Sequence, residues 1–288
     1  MHPRLEDGGG MNRPMTEWRA RRRWRAVALV LVMLSVAAAP RSGGAQQRSE
    51  LYQATVIVTG YDTRSRPFGF AQALRAVLVN VSGEPRLRDD ARVAALAARA
   101  GRWVASFSYV DRMAGRPIHD EQGTRDRPYN LTVKFVPARI DRALADLGER
   151  PWRGTRPVVV PVLAVRFGTA SYLLSAESPA GIEQRAAFAD AARAFDMTVR
   201  FPTEAEFAAW GIRAGHSPVL PATTATAGAR VAGTLEFQEA LPGWVGAWRM
   251  RWRGVEYAWG VRGGNYDEAF RDIVRGVLRV ASGHGAPE

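Results

Sequence analysis

Residues Pro151 to Arg166 read PWRGTRPVVVPVLAVR, and the second half of that stretch decides the fold. Val158 to Val165 is almost wholly apolar and rich in β-branched side chains. A strand with one wet face alternates polar and apolar residues, so an unbroken run predicts a strand buried on both faces. Pro157 stands at its entrance, where a missing N–H costs little. Pro161 lies inside it and predicts a bulge, or one side left unpaired at that point. One small α/β unit precedes this strand, and a second begins with it.

Working back from the central strand, Leu51 to Thr59 (LYQATVIVT) alternates, with Tyr52, Ala54, Val56 and Val58 on an apolar face. Phe70, Leu74, Val77, Leu78 and Val81 then recur at helical spacing until Ser82-Gly83 stops them. Asp89 or Asp90 is placed to cap a second helix carrying Val93, Leu96 and Ala97, ending at Gly101. Trp103 to Val110 and Tyr129 to Val136 read as strands, separated by a Gly-, Pro- and charge-rich loop. A helix from Pro137 to Leu147 closes the unit, since proline is tolerated in a first helical turn.

Working forward, Ala170 to Leu174 reads as a short strand, Glu183 to Phe195 as a helix and Met197 to Phe201 as another strand. Thr203 and Glu206 have the spacing of a capping box for a short helix. Arg230 to Phe237 opens an antiparallel meander whose next strand puts Trp244, Trp248, Met250 and Trp252 on one face. Arg249, Arg251 and Arg253 fall on the other face, and Arg253-Gly254 turns the chain into Val255, Tyr257 and Trp259. Asn265 caps a last helix with Phe270, Ile273, Val274, Val277 and Leu278 as its apolar stripe, a lid for the tryptophans. Arg75 to Gly83 and Arg275 to Gly283 share five of nine positions. Both are amphipathic helix ends with a Ser-Gly stop, so convergence explains them, and diverged copies of one unit is the alternative.

The fold class expected is therefore α+β: two small α/β units, each a mostly antiparallel or mixed sheet covered by helices. The divisions fall at 1–45, 46–150 and 151–288. The first of these reads as a signal peptide. Arg19, Arg21, Arg22, Arg23 and Arg25 make a cationic segment, Ala26 to Ala39 an apolar run, and Gly43-Gly44-Ala45 a small-residue cleavage site before Gln46. A run of 14 residues is short for a membrane span, which needs roughly 20. The chain is expected in the periplasm, touching the membrane only if that segment stays uncleaved.

Composition narrows the chemistry. Of 288 residues 47% are apolar and 24% charged, the range of a chain with a real core. The absence of cysteine excludes disulfides, thiol catalysis, zinc ribbons and the lipidated cysteine of a lipoprotein. Losing residues 1–45 removes eight arginines and three acids and lowers the formal charge from +12 to +7. A moderate positive charge suits anionic lipid or cell-wall polymers, with ordinary solvated arginines as the alternative; an envelope protein is the other expected partner, and nucleic acid is not expected outside the cytoplasm.

The catalytic signals are weak. His119, Asp120, Glu121 and Asp126 gather in one loop without a second histidine at ligand spacing. Asp89-Asp90 and Asp267-Glu268 sit at helix starts, where capping and the helix dipole account for them. Gly263-Gly264 lacks a phosphate-loop lysine. No catalytic residue, metal or cofactor is expected. Trp152, Arg156, Arg249, Arg251 and Arg253 remain as contact or junction residues.

Taken together, LYQATVIVTG, FAQALRAVLVNVSG, PWRGTRPVVV and WRMRWRGVEYAWG with its following helix resemble the proteobacterial exported family called domain of unknown function 2066. The likeness is firmest at Ala73, Leu74, Val77, Leu78, Ser82 and Gly83, and at Trp152, Gly154, Arg156 and Pro157. The resemblance implies an exported protein without an assigned activity, cofactor or catalytic residue. The expected role is a non-enzymatic binding or envelope-assembly component. The alternative is a hydrolase of envelope polymers working through Asp120, Glu121 or Asp126.

Overall fold

The structure, a computed structural model, describes residues 50–115, 127–221, 228–240 and 243–287. The signal segment 1–45 and the loop carboxylates Asp120, Glu121 and Asp126 lie outside the described residues. Strand β1 (Gln53–Thr59) turns Val58 inward and leaves Ile57 on its open side. Helix α1 (Arg66–Ser82) packs on the inward side through Phe70, Leu74, Val77 and Leu78. Gly83 ends it at φ 80°, a left-handed cap that its N–H seals on Val79 O. Helix α2 (Ala91–Ala97) starts where the Asp90 side chain accepts the Arg92 N–H.

Strands β2 (Val104–Asp111) and β3 (Pro128–Phe135) complete an antiparallel sheet of order β1-β3-β2. Leu131, Val133 and Phe135 of the central strand are buried, and Leu131 meets Gly69 of α1. Helix α3 (Pro137–Asp146) follows with Ile140, Ala143 and Leu144 buried.

The second sheet is built from β4 (Val159–Phe167), β5 (Ala170–Leu173), β6 (Ala229–Gln238), β7 (Gly243–Trp252) and β8 (Val255–Arg262), in the order β5-β4-β6-β7-β8. β4 and β6 are parallel and the other pairs antiparallel. Every residue from Val159 to Val165 is buried. Leu163 and Val165 join the large core that also holds α1 and the first sheet. Val162 faces the opposite way, into a small cluster with Phe207, Ile212 and Ala232. Two cores, one on each face, are why the strand needs an unbroken apolar run. The fold is α+β, with six α-helices among the described residues.

Helices α4 (Ile182–Arg193) and α5 (Glu204–Ala209) lie between β5 and β6, and Thr203 with Glu206 forms the expected capping box. The strand expected over Met197 to Phe201 reduces to one parallel bridge, Val159 to Val199. Thr198 O accepts the Val159 N–H at 2.8 Å, and Val159 O accepts the Arg200 N–H at 2.9 Å. The next rungs of that ladder would need N–H groups from Pro161 and Pro202, and neither residue has one. Pro161 thus sits where one side of β4 is unpaired, and the two prolines end the ladder together.

Helix α6 (Tyr266–Ser282) covers the aromatic face, with Phe270, Ile273, Val274 and Val277 buried against the sheet. Trp248 is one of its partners, beside Trp244 and Trp259. The indole is buried over Gly233 and Gly246, and its Nε1–H donates to Asp272 Oδ2 at 3.0 Å. The tryptophan stripe is core.

Residues Arg48–Glu288 form one compact unit. The chain passes from the first sheet to the second near residues 148–154, and the large core runs across that passage. The ends of α1 and α6, which echo each other in sequence, meet there. Ser282 Oγ donates to Gly83 O at 2.9 Å, and Arg279 pairs with the buried Glu84. No helix among the described residues is long and apolar enough to cross a membrane.

Candidate functional site: a basic groove on the second sheet

Alternation fixes the two faces of β7. Its inward positions carry Trp244, Trp248 and Met250, so Arg249 and Arg251 point outward. The register sets Arg249 opposite Ala258 and Ala232, and Arg251 opposite Glu256. Among the described residues Glu256 alone answers both guanidinium groups, Arg251 at 3.2 Å and Arg249 at 4.0 Å. Arg253 makes the hairpin turn at φ 50° beside Gly254 at φ 84°, the backbone of a type I′ turn, and its side chain is exposed.

Between these arginines and the segment Ser217 to Leu220 runs a groove of about 620 Å³. Its floor is made of short side chains, Ala232, Thr234, Ala247 and Ala258. Helix α5 and the chain through Leu220 cover the outer face over β4 and β6. Among the described residues no element covers it over β7 and β8. The open floor lets a ligand backbone approach the sheet, and the arginine wall supplies charge. Arg249 and Arg251 stand 71% and 56% exposed, so their shared pairing with Glu256 is weak and exchangeable.

Trp152 and Arg156 are brought together, but elsewhere. The Arg156 guanidinium lies 4.5 Å over the Trp152 ring and donates through Nη2 to Asn80 O. The Trp152 N–H bonds Val81 O at 2.7 Å. Burial lowers the Arg156 pKa, and Asp196 pulls the other way. Their contacts pin the passage between the sheets to the end of α1, so these two residues are a junction, distinct from the β7 arginines.

Two features escaped the sequence reading. Asp272 sits on the buried flank of α6, and burial pushes its carboxyl up to about 6 against donation from Trp248 and attraction to Arg275. Its only sequence signal is an acid adjoining an apolar helical stripe that faces tryptophans. The second is the group Glu84, Glu149 and His284, whose ligand atoms all lie within 4.8 Å of one another. That donor set suits a metal. However, Glu84 already receives Arg279 and the Arg86 N–H, while His284 Nε2 lies 2.9 Å from Glu149 and Nδ1 lies 2.7 Å from Ser282. The arginine fills the place of a cation, and the cluster ties helix ends together.

Comparison with known proteins adds one finding. Residues 45–153 match the Domain of unknown function (DUF8605). The match spans the first sheet and its helices and stops just past Trp152, before β4. It overturns the resemblance to domain of unknown function 2066, because the matching family is a different one. The residues that carried that resemblance are a helix stripe ending on Ser-Gly and a proline-flanked strand entrance. Packing and capping impose such patterns on unrelated chains. No curated protein matches, and no solved structure does.

Proposed function

We propose that this chain is a non-enzymatic binding component of the cell envelope, exported by its N-terminal segment, that holds an acidic segment of a partner protein in the groove of β7 and β8. One observation carries the reading: two outward arginines share one carboxylate beside a floor left open at Ala247 and Ala258. The floor suits an extended backbone, and the excess of positive charge suits carboxylates on it. The cationic and apolar run of residues 19–39 supports export.

The test is in-cell photo-crosslinking from position 258, on the groove floor, comparing the unchanged chain with R249E/R251E. The expected result is one dominant captured protein, lost on charge reversal, with contact in an acidic segment. Capture of glycan or lipid alone, or capture indifferent to the charge reversal, refutes the reading.

A further inference from the structure

A second cavity opens where α1, the turn Pro85–Arg88, the end of α4 and α6 converge. Its volume is about 270 Å³, room for on the order of ten non-hydrogen atoms at about 30 Å³ per water-sized unit. The walls are of two kinds. Val56, Val79 and Phe195 make an apolar side, and Arg75, Arg88 and Arg275 make a cationic one. Among the described residues no acidic side chain lines it.

Three guanidinium groups gathered around one small space repel each other unless an anion joins them. Their own pairings do not remove the excess. Arg75 is spent on a backbone carbonyl, Arg88 O, at 2.8 Å. Arg275 reaches Glu268 at 2.8 Å through Nη2, while its Nε is buried without an acceptor among the described residues. The Arg88 side chain has no ion pair among the described residues.

The fourth polar group is the most telling. Asn80 lines the same cavity and is only 8% exposed. Its Nδ2 donates to Ala194 O at 3.1 Å, but its Oδ1 is buried with no hydrogen-bond partner among the described residues. Buried amide oxygens are nearly always satisfied, so an orphan on a residue that lines the cavity points to a donor that the described protein atoms do not supply.

We infer that this cavity is a binding site for a small amphiphilic anion: a carboxylate or phosphate head held by Arg75, Arg88 and Arg275, a short apolar body against Val56, Val79 and Phe195, and an N–H or O–H that donates to Asn80. The site is separate from the groove of β7 and β8, and neither reading depends on the other. Its walls come from both halves of the chain, so an occupant bridges α1 and α6.

The probes are hexanoylglycine, which carries a carboxylate, an amide N–H and a short chain; its methyl ester, which lacks the charge; hexyl phosphate; and inorganic phosphate, which lacks the chain. Titration calorimetry on the purified full chain should give hexanoylglycine or hexyl phosphate a Kd on the order of 0.1 mM. The ester and inorganic phosphate should bind roughly tenfold more weakly or worse. Arg88→Glu should weaken the anionic probe at least about tenfold without lowering the unliganded unfolding temperature, because the side chain gives up no ion pair among the described residues and the change relieves repulsion with Arg75 and Arg275. Ala76→Phe, which fills the cavity from α1, should abolish binding. Absence of binding by both amphiphilic anions up to about 10 mM, equal binding of the ester, or affinity untouched by both variants would each overturn the assignment.

Discussion

Asp272→Asn gives the sharpest test of how α6 is seated. In the folded chain the Asp272 carboxyl is raised from 3.8 to about 6, chiefly by burial. Glu268 adds repulsion, while Trp248, Arg275 and Trp259 partly offset both. The folded state therefore keeps a proton that the unfolded chain has already lost. The stability this contributes is complete below about 3.8 and is lost as pH rises through about 6. At about 1.4 kcal/mol per unit the full shift corresponds to about 3 kcal/mol, and partial solvent access reduces it to about 2 kcal/mol. Asparagine keeps an oxygen for the Trp248 N–H and carries no charge. The variant should match the unchanged protein near pH 4 and exceed it by about 2 kcal/mol near pH 7.5. Urea unfolding of both proteins at the two pH values, read as a difference, cancels the carboxylates they share. Equal differences at both pH values would refute the buried-acid reasoning, and so would a less stable variant at pH 7.5.

The remaining predictions probe packing, the junction and processing. Gly276→Ala raises helix propensity but would bring a Cβ to 2.5 Å from Trp259 Cε2, so thermal unfolding should show a net loss of about 1–3 kcal/mol rather than a gain. Trp152→Ala removes an indole stacked under Arg156 and lying against Gly83, and chemical denaturation should register a loss of about 2–3 kcal/mol, less than for a fully buried tryptophan. Arg279→Met leaves the buried Glu84 without its cation and should cost about 3 kcal/mol or more, with part recovered when Glu84→Gln is added; a purely additive double variant would contradict the pairing. If the segment before Gln46 is removed on export, N-terminal sequencing of protein from its native envelope should begin at or beside that residue, and an intact N-terminus would show a retained anchor.

Much of the architecture was legible because local rules acted alone. Alternation in β1 and β3, the Ser-Gly stop of α1, the Asp90, Thr203 and Asn265 caps and the hairpin at Arg253-Gly254 all depend on a few neighbouring residues. The unbroken run of β4 predicted burial on both faces, which the two cores supply. Met197 to Phe201 misled because its composition suits a strand, while its pairing depended on Pro161, far away in the sequence. The doubly proline-blocked ladder is a relation between two segments, and no window on either one contains it.

The same logic separates the two candidate sites. The β7 arginines could be named in advance, because alternation along one strand decides which side chains leave the core. The cavity could not. Arg75, Arg88, Phe195 and Arg275 come from four separate elements, and each alone reads as an ordinary solvated or helical residue. Its strongest mark, the unpaired oxygen of Asn80, is a property of packing rather than of residue type, since a helical asparagine is commonplace and a buried, half-satisfied one is not. Asn80 also donates to Ala194 beyond α4, while Arg156 donates to the Asn80 carbonyl. The residue that meets the cavity is thus held by the segment joining the two sheets, which couples any occupant of the cavity to the junction at Trp152. Replacing Trp152 should therefore weaken the anionic probe as well as the fold, and an affinity unchanged in a still-folded Trp152→Ala chain would show that the cavity is held by α1 and α6 alone.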